Sequence, residues 1–172
     1  MYILNSEEIF FLNDFTEKIK KIIPEDLKDL NQYVFYGNEI KADDILLCAK
    51  KFPMMGNKQL IIVKNGNKIL KEIDKIISQK QSIPESTVLV ICLDGVKINA
   101  KMKDLKINEE YGAIYDFKKI YDNKMPNWIK YLAQRSGFKI DFKTCELIKE
   151  RTGNNLSKVK IEFEKISINT QG

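Results

Sequence analysis

The sequence predicts an α/β protein, with a parallel five-stranded sheet flanked by helices and a small three-helix lid domain after it. Short apolar runs typical of buried strands alternate with segments whose apolar residues recur at the spacing of one helix face. Parallel pairing is expected because a helix between two strands carries the chain back to the end of the sheet where the first strand began, so the second strand runs in the same direction. After residue 117 no strand-like run follows, and three helical segments come after a polar linker.

Five runs are predicted to be strands because they are rich in aliphatic and aromatic residues and end at polar residues or glycine. The fourth is a continuous apolar run, which is typical of a central strand covered on both faces. In chain order the predicted strands are 2–4, 31–36, 59–63, 87–93 and 113–117.

The first helix is predicted between the first two strands. Asn5 or Ser6 can cap it, with acidic residues in its first turn, and Pro24 ends it. Its expected apolar face consists of Ile9, Leu12, Phe15, Ile19, Ile22 and Ile23. Further helices are predicted over residues 42–50 and 69–77 from the same apolar spacing.

Residues typical of helix starts and helix ends also divide the last part of the chain into helices. Pro126 suits the first turn of one helix and Gly137 its end, because glycine adopts the left-handed conformation found there. Asp141 can cap the next helix, which ends at Gly153. We therefore assign residues 1–120 to an α/β domain and residues 121–172 to a helical lid domain.

Composition excludes several classes of protein. The 172 residues contain no histidine, which removes the commonest general base and a frequent metal ligand. Cys48, Cys92 and Cys145 form no CxxC pair, so we expect reduced thiols and no metal site. No apolar run approaches the ~18 residues of a membrane span, and no signal peptide is recognisable, so a cytoplasmic protein without a membrane partner is expected.

A parallel sheet with a helical lid is the architecture of P-loop ATPases, whose phosphate cradle follows the first strand. That cradle needs glycines and a lysine, whereas this chain has Asn5-Ser6-Glu7-Glu8, whose carboxylates repel phosphate. An acid pair should follow the third strand to hold magnesium, but the chain continues Val63-Lys64-Asn65. The sequence therefore predicts no catalytic residue, no nucleotide site and no cofactor.

An apolar connection, Phe52-Pro53-Met54-Met55-Gly56, lies between a predicted helix and the third strand. We call it the 52–56 loop. Connections are normally polar, so an apolar one either completes the core or is offered to a partner. Methionine suits the second role because its flexible, polarizable side chain adapts to a pocket. Composition alone favours the core, since exposed apolar patches are uncommon.

Two other functions are alternatives. A net charge of +5 and the basic segment Lys97, Lys101, Lys103 and Lys106 are compatible with a DNA-binding module of a replication or repair complex. The segment has no interleaved aromatic residues for stacking on bases, which favours a solvated face. An ATP-hydrolysing motor with a non-standard site is the other alternative.

Five short stretches, each modest alone, occur in an order and spacing that resemble one family. They are residues 2–8, with Ser6 where a glycine is usual, and residues 52–63, 84–90, 125–129 and 153–156. The 52–63 stretch, an apolar pair followed by a polar turn and a strand, is the most recognisable. Together they resemble the delta subunit of bacterial DNA polymerase III.

The resemblance implies an AAA+ fold with a decayed ATP site, in a clamp-loader subunit that binds and opens the beta sliding clamp during DNA replication. The subunit is not itself catalytic, although the family is grouped with the DNA-directed DNA polymerase holoenzyme. Its clamp-binding residues correspond here to Phe52, Pro53, Met54 and Met55. We expect Met54 and Met55 to point outward, with Phe52 anchoring the turn beneath them.

The resemblance also implies further partners. These are the other clamp-loader subunits, bound mainly through a C-terminal collar domain, and primer-template DNA within the assembled loader. Because this sequence has no counterpart of the collar, we expect a fragment that binds a clamp without assembling a loader.

Overall fold

The computed structural model describes residues 1–98, 102–103 and 113–169. The chain divides into two compact units, Met1–Lys118 and Lys119–Gly172. Lys101 and Lys106 of the predicted basic segment lie outside the described residues, and Lys97 and Lys103 are exposed. Within the described part of the chain, no helix is long and apolar enough to cross a membrane.

Five parallel strands form the sheet of the first unit. They are β1 (Tyr2–Ser6), β2 (Gln32–Tyr36), β3 (Gln59–Lys64), β4 (Thr87–Leu93) and β5 (Ala113–Phe117). The spatial order is β2-β3-β4-β1-β5, and every described pairing is parallel. The predicted five-stranded parallel sheet is confirmed.

Helices pack on both faces of this sheet. They are α1 (Ile9–Ile19), α2 (Lys28–Asn31), α3 (Ala42–Ala49) and α4 (Ile73–Ser78), with 3-10 turns at Lys20–Ile22, Glu25–Leu27, Gly66–Glu72 and Lys80–Ser82. Alternate residues of β3 point to opposite faces. Ile61 and Val63 join one apolar cluster with α3 and α4, whereas Leu60 and Ile62 join another with α1.

The first helix differs from its prediction. It begins at Ile9, and Ser6 Oγ accepts a hydrogen bond from the Glu8 N–H at 3.0 Å in the turn before it. The placement of Ile9 and Ile22 on the buried face is wrong, because both side chains are exposed. Phe10 and Phe11 are buried instead, and the Phe11 ring stacks on Phe117 with centroids 4.9 Å apart.

The second unit contains three described helices, α5 (Met125–Arg135), α6 (Phe142–Thr152) and α7 (Leu156–Asn169). Asp141 caps α6 as predicted, with its carboxylate accepting from the Thr144 N–H at 2.8 Å. Asn155 Oδ1 accepts from the Lys158 N–H at 3.0 Å at the start of α7. The predicted three-helix region after the sheet is confirmed.

Candidate protein-binding site

The 52–56 loop places three large apolar side chains in solvent. Phe52 is 75% exposed, Met54 57% and Met55 84%, while Pro53 is half-buried. Met54 and Met55 point outward as the sequence predicts. The expectation that Phe52 anchors the turn is wrong, because its ring is itself exposed. Adjacent exposed apolar side chains of this size are typical of a protein interaction site.

Rigid elements lie on both sides of the loop. The preceding helix α3 buries Ala42, Ile45, Leu46 and Ala49 against the sheet. The following strand β3 has its first five residues buried. Since both elements are fixed in the core, the positions where the loop leaves and re-enters the fold are also fixed.

A buried asparagine holds the middle of the loop. Asn31, the last residue of α2, is 1% exposed. Its Nδ2 donates to the Met54 carbonyl oxygen at 2.6 Å, and its Oδ1 accepts from the Met54 N–H at 2.6 Å. A carboxamide carries both a donor and an acceptor, so it satisfies both backbone groups of Met54 at once. The Met54 side chain is left free to project outward.

A buried glutamine holds the start of the loop. Gln59, the first residue of β3, is 2% exposed. Its Nε2 donates to the Lys51 carbonyl oxygen and to Thr87 Oγ1, the latter at 2.6 Å. Since Thr87 lies on β4, this side chain links the chain just before the loop to two central strands.

Two backbone positions complete the turn. Gly56 lies against α2 and the 3-10 turn before it, because a Cβ there would lie 3.0 Å from Leu27 Cδ1 and 3.3 Å from Asn31 Nδ2. Met55 has a φ of 53°, in the left-handed region that residues with a Cβ rarely adopt. Strained conformations of this kind persist where the surrounding structure determines them, and they are concentrated at functional sites.

The sequence predicts the exposure of Met54 and Met55 but not that of Phe52, and it does not single out Asn31 or Gln59. Both of these residues begin predicted strands as ordinary members. The available signal was a polar side chain at the start of an apolar strand, where burial leaves it a hydrogen-bonding requirement.

Basic side chains flank the loop in sequence. Lys50, Lys51 and Lys58 are all exposed. Lys50 Nζ donates to the uncharged Gln79 Oε1 at 2.8 Å, and Lys58 Nζ donates to the Glu85 carbonyl oxygen at 2.8 Å. The surface formed by the 52–56 loop and its flanking residues is therefore apolar at the tip and basic at the margins.

The end of β1 and the turn after it, where a P-loop would bind phosphate, have a different construction. Asn5 Nδ2 donates to the Val96 carbonyl oxygen at 2.9 Å and to Asp116 Oδ1 at 2.8 Å, and Asn5 Oδ1 accepts from the Val96 N–H at 2.9 Å. Glu7 packs over Gly95, where a Cβ would lie 2.5 Å from Glu7 Cγ. A carboxylate side chain therefore lies at the turn in which an ATPase presents backbone donors.

Comparison with known proteins gives the family. The family described as DNA polymerase III, delta subunit, matches residues 2–111, which is more than half of the chain. The chain belongs to this family. The resemblance drawn from the five short stretches is confirmed, and the 52–56 loop lies inside the matched region.

Two curated relatives match most of the chain. It is 24% identical over 176 residues to the DNA polymerase III subunit delta of Bacillus subtilis, a match that covers 96% of this chain and 51% of that protein. It is 20% identical over 182 residues to the probable DNA polymerase III subunit delta of Aquifex aeolicus, covering 96% and 49%. The chain thus spans about half the length of the curated relatives it matches.

Solved structures share the fold. The Bacillus subtilis DNA clamp loader delta protein superposes with a TM-score of 0.81 at 23% identity, covering 98% of this chain and 53% of that one. A gamma subunit-related protein of DNA polymerase III from Thermotoga maritima gives a TM-score of 0.51 at 12% identity, covering 95% and 52%. At such identities the likeness establishes the fold, including the three-helix region after the sheet.

Proposed function

We propose that this chain is a non-catalytic clamp-loader module that binds the beta sliding clamp through Phe52, Pro53, Met54 and Met55. The observation that carries the proposal is the exposure of Phe52, Met54 and Met55 on a loop whose backbone is held by the buried side chain of Asn31. Membership of the delta subunit family supports this choice of partner.

The loop has the chemistry of an interface anchor. Moving one large apolar side chain from water into a pocket contributes about 1.5–3 kcal/mol. A few such anchors dominate the binding energy of most interfaces. An apolar cleft on the clamp is therefore the surface that suits the tip, and an acidic margin on that cleft would complement Lys50, Lys51 and Lys58.

Binding alone does not open a ring, so the proposal includes a preference between two clamp states. If the loop fits the distorted edge of an opened clamp better than that of a closed one, binding shifts the population toward the open ring. The size of the shift is limited by the difference between the two affinities. Further proposed partners are the other loader subunits, mainly through the collar domain of the family, and primer-template DNA within the assembled loader.

Surface plasmon resonance with the purified chain and the beta clamp of the same organism tests the proposal. The double variant M54S/M55S should bind at least about tenfold more weakly, because two anchors are lost. The matched control is Leu147→Ser, which removes a half-exposed leucine from α6 and should leave the affinity unchanged. Wild-type affinity in the double variant would overturn the proposal.

Ring opening needs a separate experiment. A clamp whose subunit interface is covalently cross-linked should bind the wild-type chain more weakly than the same clamp after the cross-link is cleaved. Equal affinity for the two forms would show that binding is not coupled to opening, while leaving the binding site itself intact.

A further inference from the structure

We propose that Asn31 is a positioning residue for the 52–56 loop, holding it in its binding conformation before the partner arrives. The inference rests on the proposed function of the loop as the clamp-binding surface. Asn31 is distant from the loop in sequence and does not itself contact the partner.

The hydrogen bonds give Asn31 control of the loop backbone. Both polar atoms of its side chain bond to one residue, Met54, at 2.6 Å each, across 23 positions of sequence. Fixing the N–H and the carbonyl of Met54 together fixes the orientation of the peptide groups on both sides of it. The directions in which the Met54 and Met55 side chains project follow from that orientation.

Burial excludes a direct contact between Asn31 and the partner. The side chain is 1% exposed, whereas Met55 is 84% exposed. Any effect of Asn31 on binding must therefore act through the loop. Asn31 lies immediately before β2, which pairs with β3 from Gln32↔Leu60 onward. Its hydrogen bonds to Met54 therefore attach the loop to the sheet at a second point, in addition to the covalent connection into β3.

The neighbouring residues indicate that the loop is held in one conformation. Gly56 approaches both Leu27 and the Asn31 amide so closely that a Cβ would crowd them. Met55 retains a left-handed φ of 53°, which an unconstrained methionine would leave. A binding loop that is already ordered avoids the loss of conformational entropy on association. Without Asn31, the apparent affinity would fall with the fraction of molecules in the binding conformation.

A double-mutant cycle against the beta clamp tests the inference. Asn31→Ala should weaken binding about tenfold in the wild-type background and less than about twofold in the M54S/M55S background, because the anchors it positions are gone. Asn31→Asp, nearly isosteric, keeps the acceptor for the Met54 N–H but sets an oxygen against the Met54 carbonyl. It should weaken binding in the same way.

The matched control is Asn5→Ala, because Asn5 is also buried and forms three hydrogen bonds, to Val96 and Asp116. It should lower stability and leave the affinity of the folded protein unchanged. An equal loss of affinity for Asn31→Ala in both backgrounds, or for Asn5→Ala and Asn31→Ala alike, would overturn the positioning role.

Methyl NMR supplies a readout that a general loss of stability would not move. With 13C-labelled methionine, Asn31→Ala and Asn31→Asp should shift or broaden the Met54 and Met55 signals while leaving those of Met1 and Met125 unchanged. Unchanged Met54 and Met55 signals would refute the inference. If M54S/M55S binds the clamp like wild type, the proposed function fails, and the NMR spectra still decide whether Asn31 orders the loop.

Discussion

Replacing Met55 by glycine should stabilise the first unit while weakening binding to the clamp. Met55 has a φ of 53° and its side chain is 84% exposed, so truncation removes little packing from the free protein. The left-handed conformation costs a residue with a Cβ roughly 1–2 kcal/mol, and glycine does not incur this cost. Glycine loses more backbone entropy on folding, about 0.5–1 kcal/mol, which leaves a net gain of about 0–1.5 kcal/mol.

Urea unfolding of the wild-type chain and the M55G variant measures this gain. The matched control is Asn65→Gly, because Asn65 has nearly the same φ, 52°, and asparagine tolerates the left-handed region. That substitution should give no gain. Far-UV circular dichroism follows the whole chain, while Trp128, the single tryptophan, reports on the second unit and should show no shift.

The effect of M55G on binding should be opposite to its effect on stability, because the substitution removes a proposed anchor. Affinity for the beta clamp should fall severalfold although the fold is more stable. A loss of stability in M55G larger than that in N65G would refute the argument from backbone strain. Wild-type affinity in M55G would remove Met55 from the proposed binding residues.

Two further predictions concern the first unit. Burial raises the pKa of the Cys92 thiol from its ordinary value of 9.0 to about 11. The unfolded thiol ionises first, so the stability contributed by this group is complete below about pH 9 and is lost as the pH rises to about 11. The loss is up to about 3 kcal/mol, and urea unfolding of C92A should show a shallower decline over that interval. An identical pH profile for C92A would contradict this assignment. Gly95→Ala should destabilise the protein by about 1–2 kcal/mol, because Gly95 has a φ of 57° and a Cβ there would meet Glu7 Cγ at 2.5 Å. Gly137 also has a positive φ, 83°, but has open space around it. Gly137→Ala should therefore lower the free energy of urea unfolding by less than Gly95→Ala does. Equal losses would show that the contact with Glu7 contributes nothing.

The strands were predictable from the sequence because their determinants are local. The predicted limits 87–93 and 113–117 coincide with β4 and β5. A continuous apolar run of strand length predicts a buried strand, because both faces of a central parallel strand are covered by helices. The cap at Asp141 was predictable for the same reason, because its partner Thr144 lies within one helical turn.

The start of α1 was not predictable in this way. Local patterning favoured Ile9 as a buried residue, but Phe10 and Phe11 are buried instead. The stacking of Phe11 on Phe117 joins positions far apart in sequence, and no local pattern encodes it. Tertiary packing therefore decided which apolar residues of this helix lie in the core.

The sheet, the three-helix region, the family motif that contains the 52–56 loop and the outward direction of Met54 and Met55 could all be inferred from the sequence. The exposure of Phe52 could not, and neither could the contacts that hold Phe52, Met54 and Met55 in solvent rather than in the core. Their apolar character is compatible with either position. The outcome depends on Asn31, whose two hydrogen bonds hold Met54 from 23 positions away, and on Gln59, which links Lys51 to β4. Contacts between such distant positions form only when the chain folds.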